Sequence, residues 1–143
     1  MDIVRLTEAR ESYVADINGL LSQLRSDPSE HKGSLIDLHT IVADKNVAFI
    51  VAVDGEKIVG MATLYMITKI GKRGGYVEDV VVDGNYRGQG LGEKLMQKLL
   101  EVARRENLKQ LYLTTRPDRV AAHKLYEKLG FTQQQTDVYR MKI

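Results

Sequence analysis

With 143 residues, 43% of them hydrophobic and 28% charged, the chain carries enough apolar side chain to bury a core as one domain over residues 1–143. This is the balance of an ordinary globular protein and excludes fibrous and disordered classes. The absence of cysteine excludes disulfides, thiolate-metal sites and cysteine nucleophiles, and leaves no mark of an oxidising compartment. A net charge of +2 is too small to read as a nucleic-acid surface; with no signal-like start and no run near the ~18 apolar residues of a membrane span, the expectation is a cytoplasmic protein engaging neither nucleic acid nor membrane.

In chain order, residues 3–6 predict a short strand, and Thr7 is placed to cap a helix whose apolar positions Val14, Ile17, Leu21 and Leu24 recur at helical spacing before an end near Pro28. Ser34 with Asp37 three residues on forms a capping-box pattern, opening a second helix with Leu35, Leu38, Ile41 and Val42 on one face. Residues 47–53 and 58–67 are β-rich and joined at Asp54-Gly55, a two-residue hairpin signal that makes them antiparallel. The glycine-flanked Lys72-Arg73 pair, within residues 71–75, predicts a polar turn leading into a nearly continuous buried strand over residues 76–82. Leu91, Leu95, Leu99 and Val102 then form a helical stripe. Residues 111–115 predict a strand, and Asp118 is placed to cap a helix through Leu129 that closes on Gly130 and Phe131. Residues 138–143 predict a final strand. This order implies an α/β or α+β three-layer domain, a mixed sheet with helices on both faces.

The chemistry concentrates where the strand ending Val80-Val81-Val82 runs into Arg87-Gly88-Gln89-Gly90-Leu91-Gly92 and then a helix. Glycines let backbone N–H groups approach an anion closely, the helix dipole favours negative charge at that end, and Arg87 adds a cation, so the turn can cradle phosphate. A Rossmann fingerprint would need glycine where Glu93 stands, and the Gly-Lys-Ser/Thr of a P-loop is absent. Glu78 and Asp79 interrupt a β-branched run; isolated buried carboxylates are costly, so they should meet water, a cation or a ligand. Strand alternation would send them to opposite faces, a rule that a bulge relaxes. Either can take a proton from an amine, and Glu78 is the preferred base. His31, His39 and His123 lack metal-ligand spacing, so no metal is expected, and no serine-triad motif occurs.

These motifs resemble those of the GNAT N-acetyltransferases over nearly the whole chain. Arg87-x-x-Gly90-x-Gly92 is similar to the family's acyl-CoA pyrophosphate loop. The run Ala122-His123-Lys124-Leu125-Tyr126-Glu127-Lys128-Leu129-Gly130-Phe131 is similar to its second motif, in the correct order. The resemblance implies a GNAT-like sheet whose fourth and fifth strands splay apart, with acetyl-CoA as co-substrate. It also implies that Val80, Val81 and Val82 hydrogen-bond the pantetheine arm, that residues 87–92 bind the pyrophosphate, and that an N–H near Val80 polarises the thioester carbonyl. Tyr126 takes the place of the tyrosine that protonates the departing thiolate. Arg119 stands where many relatives have a cofactor-contacting asparagine, leaving a phosphate contact or solvent open to it. Val77-Glu78-Asp79-Val80 resembles the stretch of glucosamine-phosphate N-acetyltransferases whose acids contact the amino sugar. The acceptor stays open among small amines, amino sugars, amino acids and protein amines. It would be set by the first two helices, residues 26–33, the 71–75 turn and the last strands. An acyl-CoA-binding regulatory module without turnover is the alternative, and an exposed final strand could pair two subunits into a homodimer.

Overall fold

The computed structural model describes residues 1–27 and 32–143. The expected helix end at Pro28, His31 and part of the 26–33 loop lie outside the described residues. The elements are β1 (Asp2–Arg5), α1 (Glu11–Leu24), α2 (Leu35–Ala43), β2 (Val47–Asp54), β3 (Lys57–Lys69), β4 (Lys72–Val82), α3 (Leu91–Arg105), β5 (Leu111–Tyr112) and α4 (Val120–Lys128). They build a five-stranded sheet in the order β1-β2-β3-β4-β5. The first four strands form an antiparallel meander, and β5 joins β4 in parallel.

Alternation along the strands divides the apolar side chains between two faces. Ala48, Ile50 and Ala52 of β2 and Ala62, Leu64 and Met66 of β3 meet α3. Phe49, Val51, Ile58 and Met61 turn the other way, onto Val14 and Leu20 of α1 and Leu38 of α2. The α3 stripe is the best buried of the helix faces: Leu95, Met96 and Leu99 are fully covered, and burying side chains of this size is worth roughly 1.5–3 kcal/mol each. Partly buried Leu125, Tyr126 and Leu129 bring α4 to the same side.

Local signals decide several boundaries. Ser34 and Asp37 complete the expected capping box at the start of α2. At the end of α4, Gly130 takes φ +96°; its N–H donates to Glu127 O (3.0 Å) and that of Phe131 to Tyr126 O (2.9 Å), the Schellman closure expected there.

Elsewhere the structure departs from expectation. Thr7 caps nothing: Leu6 N–H is still bonded to Phe49 O (2.8 Å), so the chain must leave the sheet before α1 can start after Arg10. Asp118 likewise lies outside α4, which follows Arg119. The β2–β3 loop is Gly55-Glu56, one residue later than expected, because Asp54 pairs with Lys57. Residues 72–75 belong to β4 rather than to a turn, which Ile70 and Gly71 make alone. Gly75 is demanded by packing, since a Cβ there would stand 2.8 Å from Leu64 Cδ1 and 3.0 Å from both Leu111 Cδ2 and Tyr65 O. Residues 138–143 form no strand, and Val138, Tyr139, Met141 and Ile143 are exposed. A β-rich segment becomes a strand only where an edge pairs with it, and among the described residues none does.

Candidate active site

β4 and β5 pair only at Gly75–Tyr76 against Leu111–Tyr112. Beyond that point the strands part, and β4 from Val77 to Val82 presents its β5-side edge unpaired, with Val80, Val81 and Val82 along it. The splay is the one expected from the sequence.

At the end of that edge stands the glycine-rich turn. Gly88 and Gly90 hold φ of +79° and +75°, where an L side chain would cost roughly 1–2 kcal/mol, and Gly90 in that conformation is the N-cap of α3. From Gly88 to Glu93 no backbone N–H donates to an acceptor among the described residues; the helix ladder opens with Lys94 N–H on Gly90 O (3.1 Å). Nothing lies within 4 Å of where a Cβ on Gly88 or Gly90 would stand. Glu93, the acid in the first turn of α3, is neutralised by Lys128 Nζ at 2.7 Å. Arg87 Nε donates to Val82 O (3.1 Å), holding the guanidinium stem against the strand end. The turn is anchored from below, where Asp83 accepts from Asn85 N–H (2.9 Å) and the Tyr86 hydroxyl donates to Asp54 (2.9 Å). Bare N–H groups at the positive end of a helix are the donor set that a diphosphate requires, so the residues present fit coenzyme A.

On β4 the two acids lie at a bulge. Thr63 opposes Glu78 but Met61 opposes Val81, so β4 carries one extra residue between these pairs, and Asp79 absorbs it at φ +52°. Cross-strand partners share a face, which puts Glu78 on the side of Thr63, toward α1 and α2. Asp79 turns to the same side and lines the cavity there. The expectation that alternation sends the acids to opposite faces is therefore overturned, because the bulge resets the alternation between them. Glu78 itself stays exposed beside that cavity. Burial, then the neighbouring Asp79 charge, pushes the Glu78 carboxyl above the ordinary glutamate range. Burial and both carboxylates push the Tyr65 phenol up.

Tyr126 approaches from the other face. It packs edge-on against Phe131, centroids 5.9 Å apart, and is partly buried against the core on the α3 side of the sheet. Burial pushes its phenol up, partly offset by the Arg119 guanidinium. Arg119 neither extends into solvent alone nor stands apart from the fold: its Nη2 donates to Leu24 O at the end of α1 (2.8 Å), bridging the two helix layers. His123 Nε2 lies 3.0 Å from Arg116 O and His39 is exposed. Among the described residues no cluster of three or more His, Cys, Asp or Glu could hold a metal ion, and no helix is long and apolar enough to cross a membrane.

Sequence reasoning missed the cleft's floor. Thr63 and Tyr65 of β3, with Met61, alternate onto the α1–α2 side and border the cavity with Asp79. The signal was the two-residue spacing of Thr63 and Tyr65 inside an apolar strand, which reads equally as buried sheet until the bulge brings Glu78 and Asp79 beside them.

A splayed mixed sheet with an amide-lined helix start beside the split is the architecture of one acyl-transfer family, and the model of the Acetyltransferase (GNAT) family matches residues 11–131. The chain belongs to that family. It is similar to glucosamine 6-phosphate N-acetyltransferase of Trypanosoma brucei brucei, 40% identical over 78 residues that cover 52% of this chain and 51% of the relative. It is also similar to thialysine N-epsilon-acetyltransferase of Mus musculus, 33% identical over 145 residues covering 91% and 85%. The crystal structure of a Trypanosoma brucei acetyltransferase superposes with TM-score 0.77 at 28% identity, covering 99% of each chain. The chain spans about half or less of the length of the first curated relatives it matches, 51% and 40%.

Proposed function

We propose that this chain transfers the acetyl group of acetyl-CoA directly to a primary amine, with both substrates held at the β4–β5 split. The observation that carries the reading is the run of unpartnered N–H groups at residues 88–93 at the end of an open strand edge. That run suits a diphosphate, and the edge suits the amide-bearing arm attached to it. Family membership and the relatives' names support N-acetyl transfer.

In this reading the amine nitrogen attacks the thioester carbon. Its proton passes to Glu78, directly or through water, the C–S bond breaks, and the Tyr126 hydroxyl protonates the departing sulfur. The raised Glu78 carboxyl is the stronger base once ionised, and a phenol with raised pKa stays protonated until it is needed. The N–H near Val80 faces the developing oxyanion. Holding amine and thioester together supplies much of the acceleration, because a bimolecular encounter becomes an internal one.

The test is thiol release from acetyl-CoA over a panel of amines, with Tyr126→Phe alongside. Release that depends on amine and falls roughly 100-fold in kcat for Tyr126→Phe, with coenzyme affinity unchanged, is the expected result. Coenzyme binding without amine-dependent release would make the chain an acyl-CoA-binding module instead.

A further inference from the structure

Two attachments leave the last turn of α1 in opposite directions. The Gln23 side chain accepts from Gly84 N–H (2.9 Å) and donates to Asp83 Oδ2 (3.2 Å), just past the end of β4 and at the base of the turn that leads to residues 88–93. One residue on, Leu24 O accepts from Arg119 Nη2 (2.8 Å), a partner 95 positions away. The last turn of α1 carries no basic residue, and the carbonyl end of a helix favours a cation, so the guanidinium reaching it from α4 meets the charge it suits. The two helices lie on opposite faces of the sheet, and beyond Tyr76 and Tyr112 β4 and β5 are not paired among the described residues. The end of α1 therefore spans the split, fastened to the β4 side by Gln23 and to the α4 side by Leu24.

Arg119 is held at both ends. Its backbone N–H donates to Arg116 O (3.1 Å) and its carbonyl accepts from His123 N–H (3.1 Å), which makes it the N-cap of α4, while Leu24 O holds the guanidinium. Tyr126 follows seven residues later, close to two helical turns along the same helix. Resting on the acetyl-transfer reading, we propose that Arg119 is a positioning residue: anchored on Leu24 O, it sets α4 across the split from the coenzyme turn, so that the Tyr126 hydroxyl stands where the sulfur departs. Gln23 completes the same frame from the β4 side. Arg119 thereby answers to a carbonyl of the protein rather than to a coenzyme phosphate. Burial raises the Tyr126 phenol, and the Arg119 charge offsets part of that rise; the same charge favours the phenolate that Tyr126 becomes once its proton has passed to sulfur.

The experiment measures kcat for thiol release from acetyl-CoA, with the most active amine of the panel, in Arg119→Gln, Arg119→Lys and Gln23→Leu. Calorimetry with coenzyme A gives affinity, and circular dichroism reports folding. Arg119→Gln should lower kcat by roughly 10- to 100-fold, the scale of misplacing a reacting group by about 1 Å, with coenzyme affinity kept. Arg119→Lys should recover part of the loss, since an ammonium can still meet Leu24 O. Gln23 is exposed, so Gln23→Leu should fold even where an Arg119 variant does not, and it too should lower kcat. A kcat unmoved in folded Arg119→Gln or in Gln23→Leu, a lysine no better than glutamine, or coenzyme affinity falling in step with kcat in Arg119→Gln overturns the frame and leaves acetyl transfer standing. An unmodified chain that releases no thiol with any amine sinks the transfer reading and this inference together.

Discussion

As the proposed base, Glu78 would carry opposite obligations to fold and to function. Its carboxyl is pushed above the 4.5 of an unperturbed glutamate, so the folded state favours the protonated form. Above both the folded and unfolded values its ionisation is therefore a net burden on stability; below both, the burden vanishes. Glu78→Gln should raise the melting temperature at neutral pH and leave it unchanged in acid, a comparison that two thermal scans provide. The same substitution should lower kcat by roughly 100-fold and abolish the acid limb of the rate profile. That limb should lie above the ordinary glutamate range in the unmodified chain, because the base works only when ionised. A limb at or below 4.5, or one retained in the variant, would transfer the role to Asp79 or water. At this scale the sequence drew attention to the acids, since two carboxylates interrupting a β-branched run must meet water, a cation or a ligand. It could not disclose their orientation, because the bulge that aims both at one face depends on the register of β3 against β4 and on Asp79 accepting a left-handed conformation.

Among the elements, the turn into α3 was legible because glycine spacing maps onto backbone conformation: Gly88 and Gly90 do adopt positive φ. Gly90→Val puts a branched side chain on a residue held at φ +75° where there is ample open space, so the damage comes from backbone strain of about 1–2 kcal/mol. Coenzyme affinity should weaken by roughly 5- to 30-fold by calorimetry, the fold-equivalent of that strain at the site, with the circular dichroism spectrum retained. Unaltered affinity would mean the coenzyme ignores this turn. The caps at Thr7 and Asp118 misled for a shared reason. A capping residue shows where a helix can begin, whereas the bond from Leu6 to the sheet and the path out of β5 determine where it does begin. Residues 138–143 have the composition of a strand but, among the described residues, no edge that pairs with them, a property of the surroundings that composition does not encode.

Over the whole molecule, the strand-helix order was enough to reach the layered mixed sheet, and the family resemblance carried by two motifs implied its split. The cavity between α1, α2 and the sheet was not legible, because its wall draws on α1, α2, β2 and β3 at once and looks like ordinary core in each. The split depends on close packing at its base, where Gly75 lets Leu64 and Leu111 approach. Gly75→Ala should cost about 1–3 kcal/mol by overpacking and lower the melting temperature, with β5 displaced most; an unshifted melting curve would show that β5 is not held there. The central claim is that main-chain amides at the start of α3 recognise a diphosphate, and an amide-resolved NMR titration of the ¹⁵N-labelled chain with coenzyme A tests it most directly. The amides of Gly88, Gly90 and Gly92 should shift furthest and saturate together, with those of Val80 and Val82 following. Saturable binding that leaves the 88–93 amides in place and perturbs another surface would contradict it.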